Sequence, residues 1–352
     1  MGGQSAIPVF PIDERLRALQ RHTGTDVEFR QGDVCDTSFI QTFLVDFQPE
    51  AIVHLADMPS APYSMRDLNS SIFTQTNNLV GTLNILYTIK DYLPSAHLVK
   101  LGTMGEYGTP KIDITEGFLD VEFRGRKDTL PFPRQAQSWY HWSKVHSSNN
   151  VMFACNLWGV RATDVMQGIV FGTRTEAVSR DPALCTRLDF DEAFGTIVNR
   201  FCCQATISHP LTLFGTGSQK RAFISLKDTI QCLTLLLENP PTRGQYRVVN
   251  QFQKIFSLAE MAKIVQEVSE DIGIKTRIDN VKNPRKEIEN HYYNVDRNIL
   301  LNLGYIPFSD IRPEIRFTLQ DLIPQASNIM SKKDKLLPKI RWASDEQIIT
   351  QA

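Results

Sequence analysis

The chain has 352 residues, enough for one large α/β domain or for a cofactor-binding domain with a smaller partner domain. Its 38 lysine and arginine residues are balanced by 39 aspartate and glutamate residues, so no net charge would draw it to nucleic acid or to an anionic membrane surface. The six cysteines form no C-x-x-C pair and lack disulfide-scaffold spacing, which is typical of reduced thiols in an intracellular protein.

Helix and strand patterns alternate through the first half of the chain. The predicted elements are a helix at 13–22, a strand at 27–29, a helix at 37–47, a strand at 51–56, a helix at 77–92, a strand at 97–103, a helix at 138–158 and a strand at 160–172. The nearly all-apolar run 51–56 is typical of a strand covered on both faces. The alternation predicts right-handed β-α-β crossovers and therefore an α/β fold with a doubly wound parallel sheet.

The pattern becomes mixed after Gly172, which indicates a second, smaller domain over the carboxyl ends of the strands. In it, Ser257 and Glu260 form a capping box at the start of a helix with apolar residues at helical spacing. We expect residues 1–172 to form the dinucleotide-binding domain and 173–330 the substrate domain, with 210–235 returning to the sheet. Residues 331–352 are expected to be a loosely packed tail.

A Y-x-x-x-K pattern, Tyr140 and Lys144, lies on the helix predicted at 138–158. The spacing puts the phenol and the ammonium on one helix face, where the positive charge favours phenolate and a base near neutral pH. Taken alone the pattern also fits a surface helix with an extended lysine. Thr103 adds a hydroxyl at the carboxyl end of a predicted strand, where this fold binds ligands. The three side chains suit removal of a proton from a sugar hydroxyl while hydride leaves the same carbon.

These three residues also match the catalytic triad of the extended short-chain dehydrogenases/reductases. The strings GDVCD, VHLA, NNLVGTLNIL and MQGIVFG occur in the order of that superfamily. Longer strings resemble the UDP-sulfoquinovose synthase family: SAPYSM, LVKLGTMGEYGTP, YHWSKVH, NRFC, HPLTLFGTGSQKR and NPRKEIENHYYN. The resemblance runs from about Asp13 to about Trp342 and implies a Rossmann sheet with a UDP-sugar-binding second domain.

The resemblance implies a reaction between UDP-glucose and sulfite with NAD recycled, for sulfolipid biosynthesis. Tyr140 would be the base, Lys144 its electrostatic partner and Thr103 the group on the 4-hydroxyl. A 4-ketone would acidify C5, water would leave across C5 and C6, and sulfite would add to C6. Related dehydratases carry aspartate and glutamate directly after the threonine, where this chain has Met104 and Gly105. The acid at C6 is therefore open between His141 and Glu106.

Further site residues are implied by the same resemblance. NAD would contact Asp33, Val34, Leu55, Ala56, Asn77 and Gln167, and the UDP-sugar would contact His141, Asn199, Leu213, Arg221 and Arg285. Taken singly, these residues also fit helix caps, turns or surface arginines. No metal is implied, and a homodimer is expected. The resemblance implies a cytoplasmic enzyme in a bacterium or a plastid enzyme in a photosynthetic eukaryote, and no transit peptide is evident.

The first departure from the superfamily is the absence of its opening strand, G-x-x-G-x-x-G loop, helix and strand. Those glycines let a cofactor pyrophosphate reach a helix N-terminus. We therefore expect a sheet lacking its first β-α-β segment, in a truncated gene product or one with a late start assignment. As written, the chain should bind NAD poorly. A thermal-shift titration checks this, and stabilisation by micromolar NAD would contradict it.

The second departure precedes SAPYSM, where the family has glutamine and arginine and this chain has Asp57, Met58 and Pro59. Loss of that cation weakens the expectation of sulfite use. Two alternatives therefore stay open. One is a UDP-sugar 4-epimerase or dehydratase, which uses the same triad. The other is a catalytically silent, truncated binding homologue.

Overall fold

Eleven strands occur in the computed structural model, which describes residues 3–283, 290–308, 310–337 and 339–342. They are β1 (Ala51–His54), β2 (His97–Leu101), β3 (Phe118–Phe123), β4 (Arg126–Pro131), β5 (Arg161–Gln167), β6 (Ile169–Phe171), β7 (Leu211–Phe214), β8 (Lys220–Ser225), β9 (Tyr246–Gln251), β10 (Lys254–Ser257) and β11 (Ile278–Val281). The central sheet has four parallel strands in the order β1-β2-β5-β9. Strands β6, β8 and β10 form a second sheet, β7 pairs with β11, and β3 and β4 form a hairpin.

Twelve α-helices occur in the same described ranges. They are α1 (Ile12–Thr23), α2 (Thr37–Phe47), α3 (Ala61–Ser64), α4 (Leu68–Tyr92), α5 (Trp139–Trp158), α6 (Glu176–Arg180), α7 (Ile197–Thr206), α8 (Leu226–Glu238), α9 (Leu258–Asp271), α10 (Asn298–Asn302), α11 (Arg312–Leu322) and α12 (Ala326–Ser331). Short 3-10 turns cover Met104–Glu106, Pro182–Leu184, Ile323–Gln325 and Lys333–Lys335. None of the described helices has the length and hydropathy needed to cross a bilayer.

Local capping explains several helix ends. Ser138 accepts a hydrogen bond from the His141 amide at the start of α5, and Gly159 ends that helix in the left-handed conformation at φ 72°. At the start of α9, Ser257 and Glu260 form the capping box that the sequence predicts. These caps satisfy main-chain groups that have no partner within the helix.

Apolar side chains cover both faces of the central sheet. Leu98 and Ala162 pack with Leu86 and Val151, which lie on α4 and α5. Val99, on the opposite face, packs with residues of α8, β9 and α10. The prediction of an α/β fold with a doubly wound parallel sheet is confirmed. Edge strand β1 pairs only with β2 among the described residues.

The structure differs from the sequence-based expectations in two places. Residues 27–29 are not a strand, and Val27 and Phe29 are 47% and 51% exposed. No neighbouring strand among the described residues offers them a hydrogen-bonded ladder. Within 210–235 no strand joins the central sheet, because β7 and β8 pair elsewhere, although α8 packs against that sheet. The returning strand is β9, at Tyr246–Gln251.

The C-terminal segment packs onto a loop of the second half. Leu336 is fully buried, the Glu192 amide donates to the Lys335 carbonyl at 3.1 Å, and the Glu192 carboxylate accepts from the Ile340 amide at 3.1 Å. The adjacent loop runs from Ala193 to Thr196 and forms part of the cavity wall described next. Packing of the C-terminal segment therefore supports the site.

Candidate active site

A cavity of about 390 Å³ lies at the carboxyl ends of the central strands. Its walls come from the loops after β1, β2 and β5, from the start of α5, and from segments of the second half. The residues that line the cavity include Thr103, Met104, Gly105, Tyr140, His141, Gln167, Arg200, Phe214, Arg221 and Trp342. This edge of a parallel sheet is where α/β proteins bind ligands.

The three predicted catalytic residues lie close together. Thr103 follows β2, while Tyr140 and Lys144 lie on the first two turns of α5. Thr103 and Tyr140 line the cavity, and the Lys144 ammonium nitrogen is 6.0 Å from the centre of the Tyr140 ring. The spacing of four residues therefore brings phenol and ammonium together as the sequence predicts.

Lys144 has a partner that the sequence does not reveal. Its ammonium donates to the Asp57 carboxylate and to the Leu101 carbonyl, and it is 3% exposed. Burial, followed by the negative charges of Asp57 and Glu106, raises the pKa of Tyr140 above its ordinary value. Lys100 opposes this shift. At rest Tyr140 is therefore a protonated phenol.

The His141 ring occupies the space beside Gly105. A β-carbon at Gly105 would lie 2.3 Å from Nε2 of His141, so no side chain fits there while the imidazole keeps this position. Nδ1 of His141 is hydrogen-bonded to the Ser138 hydroxyl at 2.9 Å, which fixes the ring orientation. The imidazole thus lines the cavity together with Thr103.

Glu106 does not reach the cavity, which corrects its candidacy as the C6 acid. The side chain is fully buried, and its carboxylate accepts from Arg134 at 2.6 Å and from Ser148 at 3.0 Å. Its other oxygen accepts from the Thr103 amide at 3.3 Å and completes a capping box. Glu106 therefore supports the loop that carries Thr103, and a sugar cannot contact it.

Lys100 links Glu106 to a buried network behind the site. It lies opposite Asp164 in the sheet register, donates to that carboxylate at 3.2 Å, and donates to Ser148 at 3.0 Å. The second Asp164 oxygen accepts from the Tyr246 hydroxyl at 2.7 Å. Although burial alone would raise the pKa of Asp164, Lys100 and these hydrogen bonds lower it overall. The network is charge-balanced because Arg134 pairs with Glu106.

Asp33 and Val34, two of the residues expected to contact NAD, lie in the turn before α2. The Asp33 carboxylate accepts from the Cys35 amide at 2.8 Å within a turn. The Val34 side chain packs against Gly81. A β-carbon added at Gly81 would lie only 2.8 Å from Cγ1 of Val34. Both positions stay predictions for cofactor binding.

The other residues expected to contact NAD lie directly after β1, on α4 and at the end of β5. Leu55 and Ala56 are exposed directly after β1, with Leu55 at 66%. Asn77 donates to the Ala56 carbonyl at 3.3 Å, and Gln167 donates to Gln251 at 3.0 Å while also lining the cavity. The contacts of these four residues with NAD stay predictions.

Only some of the residues expected to bind the substrate line the cavity. Arg221 does, whereas Leu213 is 3% exposed in the apolar core and Asn199 lies outside the lining. Phe214 and Arg200, the next residues in the chain, line the cavity instead. The alternation of a strand sends Leu213 and Phe214 to opposite faces, and one helix position moves a side chain by about 100°. Arg285 falls outside the described residues.

Sequence reasoning missed Arg200, Phe214 and Trp342. The Arg200 guanidinium carbon lies 4.4 Å from the centre of the Phe214 ring, and the residue is 5% exposed. The string NRFC contains Arg200, so attention to its basic residue could have found it. Trp342 follows a lysine-rich stretch, and no local pattern predicts its place in a cavity wall.

Comparison with known proteins decides the family. The model for the NAD dependent epimerase/dehydratase family matches residues 4–250. The chain belongs to this family. It is 42% identical to a chloroplastic UDP-sulfoquinovose synthase of Spinacia oleracea over 97% of this chain and 70% of the relative, and 42% identical to a UDP-sulfoquinovose synthase of Sulfolobus acidocaldarius over 99% and 88%. The sequence-based recognition is confirmed, as is the prediction of an NAD-dependent enzyme.

Solved structures of family members share the fold. A UDP-glucuronic acid 4-epimerase of Bacillus cereus, in complex with UDP-glucuronic acid and NAD, superposes with a TM-score of 0.67 at 18% identity, covering 91% of this chain and 88% of that one. A UDP-glucose 4-epimerase of Thermus thermophilus in complex with NAD gives a TM-score of 0.64 at 18% identity, covering 89% and 96%. At this identity the likeness establishes the fold alone.

NAD is the cofactor of this family, and the described residues fit one half of it. The exposed residues Leu55 and Ala56, together with Tyr140 and Lys144, would hold the nicotinamide end. A glycine-rich loop at a helix N-terminus, which would cradle the pyrophosphate, is not found in the described ranges. The residues near the triad are therefore those that would orient the reactive ring.

Proposed function

We propose that the chain makes UDP-sulfoquinovose from UDP-glucose and sulfite, the sulfosugar donor for a membrane lipid. One observation carries the proposal: Thr103, Tyr140 and His141 meet in a single cavity, and the His141 ring fills the space beside Gly105. The 42% identity to two UDP-sulfoquinovose synthases supports it. The homodimer expected from the resemblance stays a prediction.

At C4 of the sugar, Thr103 and Tyr140 handle the hydroxyl. The Tyr140 oxygen takes the 4-hydroxyl proton, while Thr103 hydrogen-bonds the same oxygen and the Lys144 charge favours the phenolate that this step requires. NAD, when bound, supplies a reversible acceptor for the C4 hydride. Return of the hydride to C4 and of the proton to the oxygen leaves the enzyme unchanged after one cycle.

At C5 and C6, His141 is the proposed acid and base. A ketone at C4 acidifies the C5 proton, and protonation of the C6 hydroxyl by Nε2 of His141 lets water leave. The sulfur lone pair of sulfite then bonds to C6, and a proton returns to C5. The balance is UDP-glucose and hydrogen sulfite giving UDP-sulfoquinovose and water. Ser138 keeps the imidazole oriented through Nδ1.

The basic residues of the second half suit the diphosphate. Arg221 and Arg200 line the cavity, and a guanidinium group can donate two hydrogen bonds to the oxygens of one phosphate. Phe214 offers an aromatic wall beside them. These residues are proposed to hold the UDP portion while the glucose reaches Tyr140.

The direct test combines the purified chain with NAD, UDP-glucose and sulfite, followed by mass spectrometry. The proposal expects a sulfonated nucleotide sugar that appears only when sulfite is present. UDP-galactose in its place would show a 4-epimerase, and a 4-keto-6-deoxy sugar a dehydratase. Binding of both UDP-glucose and NAD without any product would show a silent homologue.

Replacing His141 by asparagine tests the assignment at C6. We expect sulfonated product to fall by roughly 10²–10⁴-fold because the acid for water loss is gone. Oxidation at C4 should persist, so mixing with UDP-glucose should still produce the absorbance of reduced cofactor. His146→Asn, an exposed position on the same helix, is the matched control and should retain activity. An undiminished rate in His141→Asn would remove histidine from the chemistry.

A further inference from the structure

The Asp57 carboxylate contacts a residue of the predicted catalytic triad, although Asp57 is not itself one of the three. It follows β1 by three residues and reaches Lys144, which is 87 positions further along the chain. The Asp57 and Lys144 side chains are 4% and 3% exposed. Water therefore screens this ion pair little, and its geometry has large consequences for nearby charges.

Lys144 is held from two sides. Its ammonium donates to one Asp57 oxygen and to the Leu101 carbonyl at the end of β2. An ammonium has three donors, so these two bonds fix its position between the end of β2 and the loop after β1. The side chain is anchored below the Tyr140 ring, whose centre is 6.0 Å away.

The other charges around Asp57 and Tyr140 are already balanced. His54 lies 4.0 Å from the second Asp57 oxygen, but burial lowers the His54 pKa to about 4, so the ring is neutral at pH 7. Lys100 pairs with Asp164, and Glu106 pairs with Arg134. The second Asp57 oxygen has no hydrogen-bond partner among the described residues. Lys144 is thus the cation that balances Asp57.

We propose that Asp57 is a positioning residue of the catalytic site: its carboxylate holds the Lys144 ammonium and sets how much of that positive charge reaches the Tyr140 phenol. A lysine alone beside a tyrosine favours the phenolate. A lysine neutralised by a buried carboxylate favours it much less. The raised pKa of Tyr140, to which burial and then Asp57 contribute, agrees with this arrangement.

Asp57 therefore adds to the burial that keeps Tyr140 protonated at rest, and a group that draws the Lys144 ammonium from Asp57 towards the phenol would favour the phenolate. The catalytic part of this inference rests on the proposed function, whereas the effect on the phenol does not. The titration of Tyr140 can consequently be measured without substrate or cofactor.

The experiment is an ultraviolet difference titration of tyrosine ionisation in the wild-type chain and in Asp57→Asn. Tyr140→Phe in each background isolates the signal of Tyr140. We expect its ionisation in Asp57→Asn to move to lower pH by on the order of one unit, because the Lys144 charge is then no longer neutralised by a carboxylate. Asp57→Glu, which keeps the charge, should stay near the wild-type midpoint.

A double-variant cycle separates positioning from simple repulsion. If Asp57 acts through the ammonium, the shift caused by Asp57→Asn should be smaller in a Lys144→Gln background. Asp57→Ser provides a second neutral variant should the asparagine variant fail to fold. Coincident Tyr140 titrations in wild type and in the neutral variant would overturn the inference.

The pH profile of the reaction gives an independent readout. The acid limb of kcat/KM, which reports groups of the free enzyme, should move to lower pH in Asp57→Asn by about the same amount as the spectroscopic midpoint. A purely structural role would lower the rate at every pH and leave the limb in place. Absence of sulfonated product together with an intact spectroscopic shift would reject the proposed function and retain the role of Asp57.

Discussion

Tyr140→Phe is expected to lower kcat by roughly 10²–10⁴-fold, the range that a positioned general base contributes. Only the phenol oxygen is removed, so the ring contacts with His141 and the fold of α5 should persist. Substrate binding should change little because the UDP portion is proposed to contact Arg221 and its neighbours. Steady-state formation of the sulfonated product checks the rate, and calorimetric binding of UDP-glucose checks the affinity.

Tyr87→Phe is the matched control for that experiment. Tyr87 is 51% exposed on α4, and its ring packs against Trp158 away from the cavity. It loses the same atom and should keep wild-type kcat. Retention of most activity in Tyr140→Phe would show that another group accepts the 4-hydroxyl proton.

Lys100→Met is expected to destabilise the protein by about 3–5 kcal/mol, because it leaves a buried carboxylate without its cation. Lys100 and Asp164 are both fully buried and lie on adjacent strands. Methionine has similar length and keeps the core filled, so the loss reports charge rather than volume. Urea denaturation followed by circular dichroism measures the free energy of unfolding.

The control is Lys90→Met at a solvent-exposed ion pair. Lys90 lies 2.9 Å from Asp91 with its side chain 36% exposed, and such pairs contribute little to stability. The double variant Lys100→Met with Asp164→Asn should recover much of the lost stability because the unpaired charge is removed. Equal effects of Lys100→Met and Lys90→Met would contradict a stabilising buried network.

Much of the local structure could be predicted because its causes lie within a few residues. Ser138 caps α5 four residues before Trp142, whose amide hydrogen bond to the Ser138 carbonyl completes the first turn. Helix α2 was predicted at its observed bounds from four apolar residues on one face. The strand at 27–29 failed for the opposite reason, since a strand forms only if a neighbour supplies hydrogen bonds.

The sequence by itself determined the alternation of strands and helices, the shared face of Tyr140 and Lys144, and the family. Helical periodicity and capping act between residues at most four apart, so they can be read along the chain. The tertiary structure alone decided that Asp57 meets Lys144, that the His141 ring fills the gap at Gly105, and that Glu106 is buried rather than catalytic. Those contacts depend on how whole strands and helices pack, which one-dimensional spacing does not specify.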